Sequence, residues 1–219
     1  GYEGASVPKT PTVTADQAAR AIYLDFEGNQ EMPPSLVGLR IDGQVQHFIL
    51  EPDLAAYATL TNSKYQVHVE GLEPLFERVR DLSGAEDRLV AGFSIHEVEI
   101  IQDYCSDPEL IEWFTDSYLN AKGPIYRWIR SRVAAGEIPE PEDKTLKSAM
   151  STIGMKYKPG AGTDVVGKNL KRMRAQLATK GSVEAVSKGT KVHWWKILSH
   201  NTTDLAATQD LLSRATARS

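Results

Sequence analysis

Two carboxylates lie at the end of a short apolar run at residues 21–28 (AIYLDFEG). Side chains alternate along a strand, so Asp25 and Glu27 project from one face and Phe26 from the other. Their Cα atoms would be roughly 6.6 Å apart. Two like charges at that separation repel each other unless a cation or water compensates them. We interpret the pair as the anchor of a divalent-metal site; a solvated strand end is the alternative.

Glu97 lies where a second predicted strand gives way to a helix. The run at residues 88–95 (RLVAGFSI) is nearly all apolar, as expected for a strand that is buried on both faces. Helical spacing follows, and functional groups are common at such passages in α/β sheets. Glu97 is therefore a candidate ligand, or alternatively a first-turn carboxylate that interacts with the helix dipole.

His200 and Asp204 are four residues apart near the C-terminus. On a helix this spacing places both side chains on one face. In an alternative reading, Asn201 and Asp204 form a capping pair at a helix N-terminus and His200 bonds only locally. Spacing alone does not separate the two readings.

Together these residues give four carboxylates and one imidazole. Hard divalent ions such as Mg²⁺ and Mn²⁺ prefer oxygen ligands of this kind. Two ions about 3.5–4 Å apart can activate a water molecule and stabilise the leaving oxygen of a phosphodiester. An imidazole with an unperturbed pKa of about 6.5 can accept the proton from that water. The set is therefore suited to metal-dependent hydrolysis.

The elements that must position these residues begin with three strands. Asp42-Gly43 lies between alternating runs at residues 36–41 and 45–50, which is a strong hairpin signal. With the strand at 20–26, this pattern predicts three consecutive antiparallel strands. His47 falls within the third strand, and we assign it to the sheet rather than to a ligand set.

A parallel crossover is predicted to follow the antiparallel strands. Residues 65–82 show helical spacing, with Pro74 favouring a helix start near Glu73, and the buried strand at 88–95 comes next. The expected fold class is α/β: a mixed sheet of three antiparallel strands and then parallel strands, flanked by helices.

The chain is predicted to form one domain with a short appendage. Residues 1–19 are polar and read as a flexible leader, and residues 20–219 form the domain. Residues 155–191 are predicted to be a mobile basic insertion around one amphipathic helix. The last helical region follows, with a predicted break near His200.

Charge is distributed unevenly along the chain. Residues 1–143 contain 11 Lys and Arg against 25 Asp and Glu, whereas residues 144–219 contain 14 against 4. This asymmetry indicates a polyanionic partner such as DNA or RNA, with a merely solvated basic face as the alternative. Trp194 and Trp195 either stack on a base or pack inward, and we expect at least one to pack inward. The candidate phosphate-binding residues are Lys168, Lys171, Arg172, Arg174 and Lys196.

Composition bears on the cellular location of the chain. The single cysteine, Cys105, excludes an internal disulfide framework and favours a reducing, cytoplasmic location. No apolar run is long enough to span a membrane, and no secretory leader is evident. The first residue is Gly rather than Met, which is compatible with a larger parent chain that carries other domains.

Three motifs in order resemble a known group of nucleases. YLDFEG, AGFSIHEVEII and HNTTDLAATQDLL are similar to the three exonuclease motifs of the DEDD superfamily, the ribonuclease H-like 3′–5′ exonucleases. The resemblance is closest to the predicted ribonuclease H-like nucleases found with RecB-type modules. TLKS with a following Ile-Gly, then WWKIL, then HNTTD correspond to the helical signatures of that group. The resemblance covers about residues 20–215.

This resemblance implies a two-metal nuclease acting on single-stranded DNA or RNA. It assigns two Mg²⁺ or Mn²⁺ ions to Asp25, Glu27, Glu97 and Asp204. It assigns His200 to orienting the attacking water or accepting its proton.

Two residues depart from the family pattern. The second motif usually supplies Asp, whereas this chain has Glu97. The third motif usually has Tyr four residues before its Asp or His five before, whereas His200 lies four before Asp204. The alternative hypothesis is therefore a catalytically weakened domain that serves as a nucleic-acid-binding or protein-docking module.

Overall fold

Six strands form one mixed sheet in the computed structural model, which describes residues 12–29, 32–60, 64–156 and 163–217. The order across the sheet is β4-β3-β2-β1-β5-β6. The first three strands are antiparallel neighbours, and β4, β5 and β6 each run parallel to their inner neighbour. The predicted α/β class and mixed sheet are confirmed. The strands are β1 (Ile22–Glu27), β2 (Leu36–Ile41), β3 (Gln44–Ile49), β4 (Gln66–Val69), β5 (Val90–Gly92) and β6 (Tyr118–Asn120).

The β2–β3 hairpin forms where the sequence predicts it. Asp42 and Gly43 have φ of 49° and 81°, the positive values that a two-residue type I′ turn needs at both central positions. The guanidinium of Arg88 donates to both carboxylate oxygens of Asp42 at 2.8 Å and holds the turn. His47 lies in β3 and is fully buried, as expected for a residue of the sheet.

Helices cover both faces of the sheet. On one face, α2, α3 and α4 pack against Ile22, Leu24 and the other apolar side chains that β1 projects that way. On the opposite face, α1, α5, α6 and α8 surround Tyr23, and α7 packs between α8 and a 3₁₀ helix (Pro52–Thr59). The helices are α1 (Ala15–Arg20), α2 (Leu72–Glu86), α3 (His96–Tyr104), α4 (Pro108–Ser117), α5 (Lys122–Ala134), α6 (Leu146–Thr152), α7 (Thr163–Lys180) and α8 (Lys188–Thr216). Within the described ranges, no helix combines the length and the apolar character that a bilayer crossing demands.

The structure corrects the predicted leader and the first predicted helix. Helix α1 begins at Ala15, inside the predicted leader, because Thr14 and Gln17 form a capping box and Ala18 is buried. Residues 1–11 of that leader lie outside the described residues. Helix α2 begins at Leu72, next to the start near Glu73 that Pro74 favours, and the preceding residues 66–69 form a strand instead, because they pair in parallel with β3.

The basic segment at 155–191 is also corrected. Its described part contains α7, whose buried residues Val166, Leu170 and Met173 join an apolar cluster with α8. This described part is therefore packed in the domain rather than mobile, and residues 157–162 of the segment lie outside the described residues. Helix α8 runs without the predicted break for 29 residues, or about 43 Å.

Candidate metal centre

The two carboxylates of β1 lie at the C-terminal end of an inner strand of the sheet. Strand β1 has β2 on one side and β5 on the other, and β1 and β5 are parallel. Their carboxyl ends therefore meet at the same edge. Asp25 and Glu27 point to the face that α8 covers, and Phe26 packs with the cluster on the opposite face. This is the alternation that the sequence predicts.

Glu97 approaches this edge from α3, directly after β5. Its side chain is 5% exposed, and its Oε2 lies 2.9 Å from the hydroxyl of Tyr118 and 3.1 Å from Oγ of Ser94. It also occupies the first turn of α3, so the helix-dipole reading holds as well. Gly92 makes room for this arrangement, because a Cβ there would lie 2.4 Å from the Tyr118 hydroxyl oxygen and 3.2 Å from Cδ of Glu97.

Helix α8 supplies the third set of groups. His200 and Asp204 lie on one helix face, with 3.6 Å between Nε2 and Oδ2. The capping alternative is wrong, because Asn201 and Asp204 lie in the interior of α8 rather than at its start. The hydroxyls of Thr202 and Thr203 donate to carbonyls one turn back, which satisfies these polar side chains inside a continuous helix.

The acidic side chains interact across the elements. Burial raises the pKa of Asp25 well above its ordinary range, and the charges of Glu27, Asp204 and Glu97 raise it further. Burial and then Asp204 raise the pKa of Glu27 to about 8. Burial raises the pKa of Glu97 despite the hydrogen bonds from Tyr118 and Ser94. Without a cation, the cluster therefore favours bound protons over free carboxylates.

Burial lowers the pKa of His200 below its ordinary value. The imidazole is therefore neutral near pH 7 and has a nitrogen that can accept a proton. Its position beside Asp204 places that nitrogen at the acidic centre, which is defined here as Asp25, Glu27, Glu97 and Asp204.

The donor set of the acidic centre fits a hard divalent cation. All four members are carboxylates, and Oε1 of Glu27 is buried with no hydrogen-bond partner in the described part of the chain. Within residues 12–29, 32–60, 64–156 and 163–217, however, no three His, Cys, Asp or Glu side chains already surround one point at coordinating distance. The groups are thus close enough to shift one another's pKa but not gathered as ligands.

A cavity opens beside the acidic centre. It has a volume of about 510 Å³ and is bordered by Glu27, by the following Gly28 and by α3. Phe26, Met32 and Tyr104 add apolar surface to its wall. The cavity is large enough to hold a small organic ligand such as a nucleotide.

The predicted phosphate-binding residues divide into two groups. The guanidinium of Arg174 is largely buried and pairs with Glu51, while its Nη2 lies 3.1 Å from Oγ of Ser35. This guanidinium ties α7 to the loop after β3, so phosphate binding by Arg174 would require breaking its pair with Glu51. The other four are exposed on α7 and α8 and are called the basic surface: Lys168, Lys171, Arg172 and Lys196.

The basic surface continues towards the acidic centre. Burial lowers the pKa of His193, and the charges of Arg172 and Lys196 lower it further, which places the two cations near one imidazole. Helix α7 passes beside the end of β1, where a Cβ on Gly167 would lie 3.8 Å from the carbonyl oxygen of Gly28. As expected, one of the two tryptophans is core: Trp194 is fully buried, and Trp195 stacks on Tyr65.

Sequence reasoning missed several residues that shape the centre. Asn201 entered only as a cap, although its amide donates to Asp25. Tyr118 carried no local signal, because it reaches Glu97 only through the pairing of β6 with β5. Gly38 and Gly92 are required by close approaches that spacing does not reveal.

No protein-family model and no curated protein sequence matches this chain. The support for a functional assignment therefore comes from the motifs and from the geometry of the acidic centre.

Proposed function

We propose that this chain is a divalent-metal-dependent nuclease of the ribonuclease H-like, DEDD type. It acts as a 3′–5′ exonuclease that hydrolyses phosphodiester bonds of single-stranded DNA or RNA. The observation that carries the proposal is the convergence of four acidic side chains from β1, α3 and α8, which span positions 25 to 204. Burying like charges together is unfavourable unless a cation compensates them, so the arrangement favours a cation-binding role.

The acidic centre and His200 have different roles in this proposal. Asp25, Glu27, Glu97 and Asp204 would hold two Mg²⁺ or Mn²⁺ ions. When bound, such ions supply an activated water and stabilise charge on the leaving oxygen. His200, neutral at pH 7, orients that water and accepts its proton.

The surroundings are compatible with a nucleic-acid substrate. The sheet order, with three antiparallel strands followed by parallel ones, is compatible with a ribonuclease H-like arrangement. The basic surface offers cations for backbone phosphates, and the cavity beside Glu27 is large enough for a nucleotide.

The test uses a 5′-labelled single strand of DNA or RNA with Mn²⁺. The wild-type chain is expected to give a ladder of products shortened from the 3′ end. Asp25→Asn and Asp204→Asn are each expected to fold normally, by circular dichroism, and to lose at least about 10³-fold in cleavage rate. Asp210→Asn is the matched control, because Asp210 lies on the same helix and pairs with Arg214 at the surface. Cleavage at the wild-type rate by either active-centre variant would contradict the proposal.

Substrate ends separate exonuclease from endonuclease action. A circular single strand has no 3′ end, so an exonuclease leaves it intact while degrading the linear strand of the same sequence. Cleavage of both forms would replace the exonuclease assignment with an endonuclease one.

A second candidate is a ribonuclease H-like domain that binds nucleic acid or a protein partner without efficient cleavage. The observation that favours it is the departure at two motif positions, Glu97 and His200. Calorimetry with Mn²⁺ discriminates the two candidates. Binding well below millimolar concentration supports the enzyme, whereas no heat of binding together with retained affinity for single strands supports the binding module.

A further inference from the structure

Asn201 is a fully buried amide at the contact between α8 and the sheet. Its Nδ2 lies 2.9 Å from the main-chain oxygen of Asp25 and 2.9 Å from Oδ2 of the same residue. A primary amide nitrogen has two hydrogens, and this one donates to two oxygens of Asp25, while the same amide also acts on the neighbouring carboxylate by lowering the pKa of Glu27. One bond fixes the strand relative to α8, and the other fixes the rotation of the Asp25 carboxylate.

Gly38 of β2 makes this contact sterically feasible. It is the cross-strand partner of Asp25, so Asn201 sits above an Asp–Gly pair in the middle of the sheet. A Cβ at residue 38 would lie 1.8 Å from Oδ1 of Asn201 and 2.8 Å from Cδ1 of Leu205. Any side chain at residue 38 would therefore push α8 away from the sheet.

The position of Asn201 along α8 determines what else reaches the sheet. Asp204 lies one turn further along the helix, and His200 is the adjacent residue. Shifting or rotating α8 at Asn201 would displace both. The amide therefore couples two members of the acidic centre and the adjacent imidazole: the Asp25 carboxylate directly, and Asp204 and His200 through the helix.

We propose that Asn201, seated against Gly38, is a positioning residue of the acidic centre that orients the Asp25 carboxylate and sets the register of α8 over β1. This inference rests on the proposed function, because it assigns Asn201 a role in preparing a metal site. The competing explanation is that Asn201 only satisfies a buried carbonyl and contributes to stability.

The experiment compares the full chain with Asn201→Ala, Asn201→Ser and Gly38→Ala. Mn²⁺ affinity is measured by calorimetry, and kcat and KM are measured on a single-stranded oligonucleotide. We expect Mn²⁺ affinity and kcat to fall about 10- to 100-fold in all three variants, with KM for the oligonucleotide nearly unchanged. Gly38→Ala keeps the amide and displaces it, so it tests position separately from chemistry.

Thr208→Val is the matched control for stability. Thr208 is also buried on α8, and it lies nearly two turns beyond Asn201. The positioning role would be overturned if the Asn201 variants lose stability as this control does but keep Mn²⁺ affinity and kcat within about twofold of wild type.

A stability cycle tests the packing without any activity. Gly38→Ala is expected to lower the melting temperature more in the wild-type background than in Asn201→Ala, where the clashing amide is absent. Equal decreases in melting temperature in the two backgrounds would show that Asn201 does not pack against residue 38. A wild-type chain that neither binds Mn²⁺ nor cleaves would contradict the proposed function instead, and the cycle would still decide the packing of Asn201 on Gly38.

Discussion

The acidic centre and the basic surface carry opposite charges and are built in opposite ways. The four carboxylates come from three distant elements, are largely buried, and contact fixed groups such as the Asn201 amide and the Tyr118 hydroxyl. The four cations lie on two packed helices and project into solvent. Buried charge is strongly coupled to its surroundings, whereas exposed charge is screened by water and salt. Single substitutions should therefore change stability or cleavage strongly at the acidic centre and change stability or binding only slightly at the basic surface.

Arg174 shows that this difference depends on burial rather than on sign. It lies in the same basic stretch as Lys171 and Arg172, yet its guanidinium is enclosed and paired with Glu51. Like the carboxylates of the acidic centre, Arg174 is a largely buried charge that contacts a fixed partner. Four changes, in decreasing order of expected effect, test how far this comparison holds.

The largest effect is expected for Glu27→Gln, which should act on activity and stability in opposite directions. Cleavage should fall about 10³-fold, because a candidate ligand is lost. The pKa of Glu27 is about 8 in the folded chain, against an ordinary 4.5. The stability it contributes in the ion-free chain is complete below about pH 4.5 and is lost as pH rises through 8.

The ion-free Glu27→Gln variant should therefore match wild type near pH 4.5 and exceed it at pH 8.5. The expected gain is on the order of a few kcal/mol in the free energy of unfolding, measured by urea denaturation with EDTA. Glu112→Gln, on the exposed side of α4, is the control and should change neither quantity. If the difference in the free energy of unfolding between wild type and Glu27→Gln is the same at pH 4.5 and pH 8.5, the pKa of Glu27 is not raised by folding.

Arg174→Ala should have the next largest effect, on stability alone. Removing this cation leaves Glu51 partly buried and unpaired, which should cost about 2–3 kcal/mol. Lys171→Ala, three residues earlier and exposed, should stay within about 0.5 kcal/mol of wild type. Urea denaturation at pH 7 measures both. Equal losses in the two variants would remove the distinction between Arg174 and the basic surface.

Replacing the whole basic surface should weaken binding to single strands without unfolding the chain. Changing Lys168, Lys171, Arg172 and Lys196 to Ala together should raise the dissociation constant by one to two orders of magnitude at low salt. The slope of log K against log salt should become shallower by roughly 0.7 for each lost phosphate contact. Fluorescence anisotropy in EDTA measures both quantities. Lys180→Ala, which changes an exposed cation at the end of α7, is the control. An unchanged salt slope in the fourfold variant would show that the basic surface does not contact the phosphates.

The smallest effect is expected for Tyr118→Phe. The change removes one hydroxyl that contacts Glu97 and keeps the ring stacked on Phe114. Cleavage should fall about tenfold, because Glu97 is held less firmly, while the melting temperature changes by only a few degrees. A rate equal to that of wild type would mean that the remaining contacts of Glu97, including Oγ of Ser94, suffice to hold it.

Local patterns predicted much of the fold. The hairpin at Asp42-Gly43 was predictable because a type I′ turn restricts both residues and the flanking runs alternate. Strand β4 was not, because its four residues are largely exposed and become a strand only by pairing with β3. Helix α8 looked interrupted at His200-Asn201, since polar residues mid-helix usually mark an end. Here β1 supplies the partner for Asn201 that a cap would otherwise provide.

The sequence by itself determined the α/β class, the antiparallel trio, the face shared by Asp25 and Glu27, and the helical face shared by His200 and Asp204. These features depend on neighbours along the chain, where alternation and helical spacing act directly. Only the tertiary structure decided that Glu97 and Asp204 reach β1, that Arg174 is paired, and that Asn201 rests on Gly38. Those outcomes depend on distances between elements far apart in sequence, which close packing sets and local spacing does not encode.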